Sequence, residues 1–113
     1  MQQVQKMSCL NEAPLAINFE VQYLDTSTGE WIPIPGTNSS NFPAGQQRTI
    51  DLSTVTFPYN ALLRPYVASK EGSVILVPDT YVMYANNGRI ATYIAEMPLT
   101  GSITLTEETT LAR

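Results

Sequence analysis

Apolar and polar side chains alternate with a period of two between residues 15 and 23. The apolar positions are Leu15, Ile17, Phe19, Val21 and Tyr23, separated by Ala16, Asn18, Glu20 and Gln22. Successive side chains of a β-strand point to opposite faces, so this pattern predicts a strand with one face in the core. A four-residue loop to the EWIPI segment would place Ile32 opposite Tyr23, whereas a three-residue loop would shift the register by one residue.

Glycine and proline divide the rest of the chain into segments that are too short for helices. Seven more segments alternate or are rich in β-branched residues: EWIPI (30–34), QRTIDLS (47–53), ALLRPYVAS (61–69), GSVILVP (72–78), TYVMYA (80–85), RIATYIAE (89–96) and GSITLTE (101–107). About eight short, regularly spaced strands predict a single all-β antiparallel sandwich of the jelly-roll or immunoglobulin-like kind. We expect the sandwich to cover residues 14–106, with an N-terminal arm at 1–13 and a C-terminal tail at 107–113.

The dipeptide Asn87-Gly88 predicts a tight hairpin, because both central residues of a type I′ turn have positive φ. That pairing would place Tyr84 and Tyr93 diagonally across an outward face, with Arg89 beside them. The opposite face, predicted to lie in the core, holds Tyr81, Met83, Ala85, Ile90, Thr92 and Ile94. The outward face also carries small apolar residues, which makes it poorly suited to water. Three interpretations remain open: the same chain covers this face, a second subunit covers it, or its rings stack on sugars.

Trp31, the single tryptophan, has a predicted environment that depends on the preceding loop. With a four-residue loop it points outward opposite Leu24, where its ring is a candidate contact for a sugar or a protein. A register shifted by one residue would turn it into the core. We therefore count Trp31 with Tyr84, Arg89 and Tyr93 as candidate interface or ligand residues.

Charged residues make up 14% of the chain, against roughly 25% in an ordinary soluble domain. Such a surface repels neighbouring copies only weakly. The arm adds an apolar side with Val4, Met7 and Leu10, and it contains the single cysteine, Cys9. Cys9 is then either a free thiol or part of a disulfide between chains. These features favour a structural subunit that self-associates into a homo-oligomer or filament through the arm and the tyrosine face.

The residue types argue against several classes of function. The chain has no histidine, which removes the commonest general base and metal ligand. No nucleophile elbow, phosphate loop or dinucleotide fingerprint occurs. The DTSTGE segment is too sparse in carboxylates for calcium and is better interpreted as a turn in which Asp25 caps its own backbone. We expect a non-enzymatic protein without catalytic residues, metal or cofactor.

Charge and hydropathy also limit the possible partners and the possible location. Six scattered basic residues in a chain of net charge −4 argue against nucleic-acid binding. No secretory signal is recognisable, and no segment approaches the roughly 20 apolar residues of a membrane span. We expect synthesis in the cytoplasm; a surface or extracellular location would require another route.

The abundance of Asn, Gln, Thr and Tyr supports an alternative function. These side chains suit hydroxyl-rich ligands, so the chain could be a small lectin or adhesion module for neutral glycans. Each site would bind weakly, at about 4 kcal/mol, and several copies would be needed for useful avidity.

Overall fold

A computed structural model describes residues 2–72 and 74–96 and the backbone of residues 104–111. Within these ranges the chain forms ten β-strands and one short 3-10 turn, Leu52–Thr54. The strands are β1 (Gln3–Val4), β2 (Lys6–Glu12), β3 (Ile17–Asp25), β4 (Glu30–Pro33), β5 (Gln47–Asp51), β6 (Leu62–Ser69), β7 (Ile75–Leu76), β8 (Val82–Tyr84), β9 (Arg89–Glu96) and β10 (Thr104–Leu111). The predicted all-β sandwich is confirmed. The first three residues of the predicted 101–107 strand lie outside the described ranges.

The strands form two sheets that enclose the core. The six-stranded sheet has the order β1-β8-β6-β3-β4, with β7 also paired to β6, and the four-stranded sheet has the order β10-β9-β2-β5. Most pairs are antiparallel, but β1 runs parallel to β8 and β2 runs parallel to β9. These parallel pairs distinguish the fold from the purely antiparallel sandwich that the sequence predicted. The C-terminal tail is also wrong for residues 107–111, because β10 continues beside β9 as far as Leu111.

The alternation in β3 is confirmed, because its inward positions are buried: Ile17, Phe19 and Val21. β4 pairs with β3 in the register of a four-residue loop, with Tyr23 opposite Ile32 and Leu24 opposite Trp31. Trp31 is half-buried and lies on the outer face of the six-stranded sheet. This result decides between the two environments that the sequence left open for the tryptophan.

Residues 3–12 are part of the sandwich, so the predicted arm is wrong. β2 lies inside the four-stranded sheet, between β9 and β5. Val4, Met7 and Cys9 are fully buried, while Leu10 is half-buried on the other side of its strand. The three-residue spacing of Val4, Met7 and Leu10 suggested one shared apolar side, but an extended backbone separates Met7 from Leu10. The N-terminal residues thus help to build the core instead of projecting from it.

The predicted hairpin at Asn87-Gly88 is also wrong, because β8 and β9 lie in different sheets. Their loop carries the chain from one sheet to the other, and Gly88 adopts a left-handed backbone with a φ of 73°. Gln5 lies between β1 and β2, where the chain also passes from one sheet to the other, and it hydrogen-bonds to the end of the β8–β9 loop. Its backbone N–H donates to the Arg89 carbonyl, and its Oε1 accepts from the Gly88 N–H, both at 2.9 Å. The two segments therefore stay side by side as they pass between the sheets, so β1 runs parallel to β8 and β2 runs parallel to β9.

This topology reverses the faces predicted for residues 81–95. Tyr93 is fully buried, together with Ala91 and Ala95 on the same side of β9. Tyr84 is half-buried and packs edge-on against Phe57, with ring centroids 5.4 Å apart. The small alanines suggested a surface position, but in a close-packed interior they leave room for larger neighbours.

Candidate functional site

The residues predicted to form one contact surface do not come together. Trp31 lies on the outer face and Arg89 is exposed at the start of β9, whereas Tyr93 is buried in the core and Tyr84 is half-buried against it. The apolar arm contacts are likewise buried or half-buried within the sandwich. Self-association therefore remains a prediction, but the fully buried Val4, Met7, Cys9 and Tyr93 cannot supply its contacts.

Cys9 is a buried free cysteine within the core. Burial raises the pKa of its thiol to about 12, so it is neutral at physiological pH. Both its burial and its protonation oppose a disulfide with another chain, because disulfide formation needs an accessible thiolate. The interchain bond considered from the sequence therefore does not fit this position.

Trp31 takes part in an aromatic contact that the sequence did not predict. Its strand, β4, is separated from β8 by two other strands, a distance of about 14 Å at the usual strand spacing. The ring centroids of Trp31 and Tyr81, the residue before β8, are nevertheless 4.9 Å apart, with planes inclined at 54°. The two side chains must lean toward each other across the strands that separate them.

Arg64 of β6 lies within this contact. Its guanidinium carbon is 4.3 Å from the centroid of the Trp31 ring, a cation–π geometry. Its Nε donates to Oε1 of Gln22, its cross-strand partner, at 2.9 Å. The Gln22 amide in turn donates to the Glu20 carboxylate at 3.4 Å. We call Trp31, Arg64 and Tyr81 the outer platform.

The electrostatic environment of Arg64 is formed, among the described residues, by burial and by two tyrosines. Partial burial lowers the pKa of Arg64, and the nearby Tyr81 and Tyr66 act in the opposite direction. No carboxylate of the described residues contributes to this shift. Because a guanidinium stays protonated in proteins, the outer platform carries a fixed positive charge.

A shallow groove of about 330 Å³ adjoins the outer platform. Its lining residues come from the end of β3 and from the loop before β6: Tyr23, Leu24, Asp25, Thr26, Pro58, Asn60 and Ala61. Leu24 is also the cross-strand partner of Trp31, so the groove and the outer platform meet at this residue. Asp25 shapes the adjoining turn, since its carboxylate accepts from the N–H and hydroxyl of Ser27 at 3.0 and 2.6 Å. These hydrogen bonds lower the pKa of Asp25. The bond to the Ser27 N–H also confirms the prediction that Asp25 caps the backbone of its own turn.

The described residues offer no group of three His, Cys, Asp or Glu side chains that could hold a metal ion. The same part of the chain contains no helix with the length and apolar character needed to cross a membrane. What the outer face does offer is two aromatic rings, one guanidinium and an adjoining polar groove. This arrangement is suited to binding a ligand by stacking, hydrogen bonding and charge.

The fold and this surface define an all-β sandwich with an aromatic and cationic outer face. No protein-family model matches the chain, and no curated protein matches its sequence. Among solved structures, the chain is similar to the crystal structure of a proposed cell adhesion protein from Bacteroides ovatus, with a TM-score of 0.52 and 13% identity. The match covers 98% of this chain and 46% of that chain, so this chain spans less than half of the other protein's length. At this identity the similarity shows a shared fold.

Proposed function

We propose that the chain is a non-enzymatic adhesion module that binds carbohydrate through the outer platform. The observation that carries this proposal is the contact between Trp31 and Tyr81, whose rings meet although their strands are not neighbours. The contact holds two aromatic rings in fixed orientations on the outer face. Pyranose rings present apolar C–H faces that stack on such rings, while nearby polar groups orient their hydroxyls.

The adjoining groove supplies the polar groups for this mode of binding. Asn60, Thr26 and Asp25 place amide, hydroxyl and carboxylate groups beside the apolar Leu24. Its volume of about 330 Å³ lies near the lower end of the usual range for small-molecule sites. A sugar stacked on Trp31 can therefore extend by one further unit past Leu24 into the groove.

The fold of the cell adhesion protein supports the adhesion role, as does the weak binding expected of a shallow site. A single weak site gives little retention, whereas several copies presented together bind with much higher avidity. We therefore place the module at a surface, in an assembly that presents more than one copy. Neutral glycans, which the sequence composition suggested, are one class of ligand to test.

Glycan-array binding by the wild type and by Trp31→Ala tests the proposed function. Loss of the ring should weaken glycan binding at least tenfold, the equivalent of about 1.4 kcal/mol. Thermal unfolding should change little, because Trp31 lies outside the two buried core clusters. Tyr59→Ala is the matched control, since this ring is 56% exposed but contacts Phe57 and Tyr84 instead of the outer platform. Unchanged binding by Trp31→Ala, or a wild type that binds no glycan, would contradict the proposal.

A further inference from the structure

Arg64 is an unexpected residue at the centre of a surface for neutral sugars. The chain is lean in charge and has a net charge of −4, yet this site retains a half-buried cation. The nearest carboxylate in its hydrogen-bond chain, Glu20, is reached only through the Gln22 amide. A partly desolvated positive charge without a direct anionic partner favours an anion that comes from outside the chain.

The orientation of this guanidinium is fixed by contacts to its Nε and its plane, and within the part of the chain that the structure describes its terminal nitrogens make no hydrogen bond. The Nε bond to Gln22 uses one of the five N–H donors, and Gln22 is itself only 6% exposed. Stacking on Trp31 holds the guanidinium plane. A planar fork held in this way suits bidentate hydrogen bonding to a carboxylate.

Arg48 shows how differently a second stacked arginine is arranged in the same protein. Its guanidinium lies 5.0 Å from the centroid of the Phe42 ring. Its terminal nitrogens donate to the Gln47 carbonyl at 3.0 Å and to Oε1 of Gln46 at 2.7 Å. Both terminal nitrogens of Arg48 therefore donate to neighbouring residues of its own segment, while Arg64 is anchored through Nε.

We propose that the outer platform recognises an acidic sugar, a pyranose that carries a carboxylate on its ring. Arg64 pairs with the carboxylate while the ring of Trp31 or Tyr81 stacks on the sugar. Both contacts can form at once when the sugar stacks on the Tyr81 ring or on the face of Trp31 that the guanidinium does not cover, since Arg64 lies over one face of the indole, 4.3 Å from its centroid. This inference rests on the proposed carbohydrate-binding function and replaces neutral glycans with hexuronic or sialic acids as the preferred class.

Isothermal titration calorimetry with matched ligand pairs tests the inference. The pairs are trigalacturonic acid with its carboxyl-reduced form and 3′-sialyllactose with its carboxyl-reduced form, so the members of each pair differ only in the carboxylates, and the two acids represent hexuronic and sialic acids. The wild type should bind at least one acidic ligand tenfold more tightly than its neutral partner, and added salt should reduce the difference. Arg64→Gln should abolish the preference, whereas Arg48→Gln should retain it.

Each outcome distinguishes the inference from the proposed function. Equal affinity of the wild type for both members of each pair would overturn acidic recognition and leave carbohydrate binding in place. No binding of any of the four sugars, neutral or acidic, would overturn both. An acid preference that persists in Arg64→Gln would also overturn the role of this arginine. The wild-type comparison does not depend on the folding of any variant. Arg64→Lys provides a second test, because it keeps the positive charge of the side chain but loses the planar fork of N–H donors.

Discussion

At the scale of single residues, Cys9 shows how burial controls chemistry. It packs in the core cluster that includes Ile17, Phe19 and Ala95. Burial raises its pKa from the ordinary value of 9.0 to about 12. Between these pH values the unfolded chain releases the thiol proton while the folded chain retains it. The free energy of unfolding should therefore fall as pH rises above 9, by up to about 1.4 kcal/mol per pH unit.

Denaturant unfolding of the wild type and Cys9→Ala between pH 8 and 11 measures this effect. Cys9→Ala removes the titrating thiol, so its stability should fall less steeply with pH than that of the wild type. The difference between the two proteins isolates the contribution of Cys9 from that of the rest of the chain. Parallel pH profiles would show that the thiol is not protected by the core.

The residues of the outer platform were only partly predictable. For Trp31 the sequence left two registers open, and only the structure shows the four-residue loop that places it outward opposite Leu24. Arg64 and Tyr81 belong to other parts of the chain, and their contact with Trp31 depends on side chains that lean across several strands. The alternation of Arg64 with the buried Leu63 and Pro65 was the available signal of an outward position. It does not reveal which ring the guanidinium will meet.

At the scale of elements, the sequence predicted local pairing and missed distant pairing. The β3–β4 register follows from one loop and one alternating pattern. The pairing of β2 with β9 joins segments about 80 residues apart, and parallel strands have no tight turn to mark them. The type I′ turn predicted positive φ at both Asn87 and Gly88, but of the two only Gly88 adopts it, because a loop between sheets can need the left-handed glycine without being a hairpin.

Deletion of residues 2–12 tests the corrected role of the N-terminal segment. The deletion removes β1 and the interior strand β2, so β9 and β5 lose their shared neighbour and the core loses Val4, Met7 and Cys9. We expect the truncated chain to lack cooperative thermal unfolding by circular dichroism. Glu12→Ala, an exposed change at the end of β2, is the control and should melt like the wild type. A cooperative transition in the truncated chain would support a separable arm and contradict the structure.

At the scale of the whole molecule, the fold separates the core, which determines stability, from the outer face, which carries the proposed binding surface. The inward faces of the two sheets build the core, while the outer face of the six-stranded sheet carries Trp31, Arg64 and Tyr81 beside the groove. Substitutions on this outer face can therefore change ligand binding without opening the core. The negative net charge of the chain opposes acidic ligands at long range, so the proposed recognition of an acidic sugar depends on the local charge of Arg64 and should be sensitive to ionic strength.

The most direct measurement is a fluorescence titration, because Trp31 is the single tryptophan and its emission reports on the outer platform alone. Wild-type protein is titrated with trigalacturonic acid and with 3′-sialyllactose, and the same samples are followed by calorimetry. Binding at the outer platform predicts a saturable change in Trp31 emission with the same dissociation constant as the heat signal, and a weaker response in Tyr81→Ala. Saturable heat without any change in emission would place the sugar elsewhere on the molecule and contradict the account.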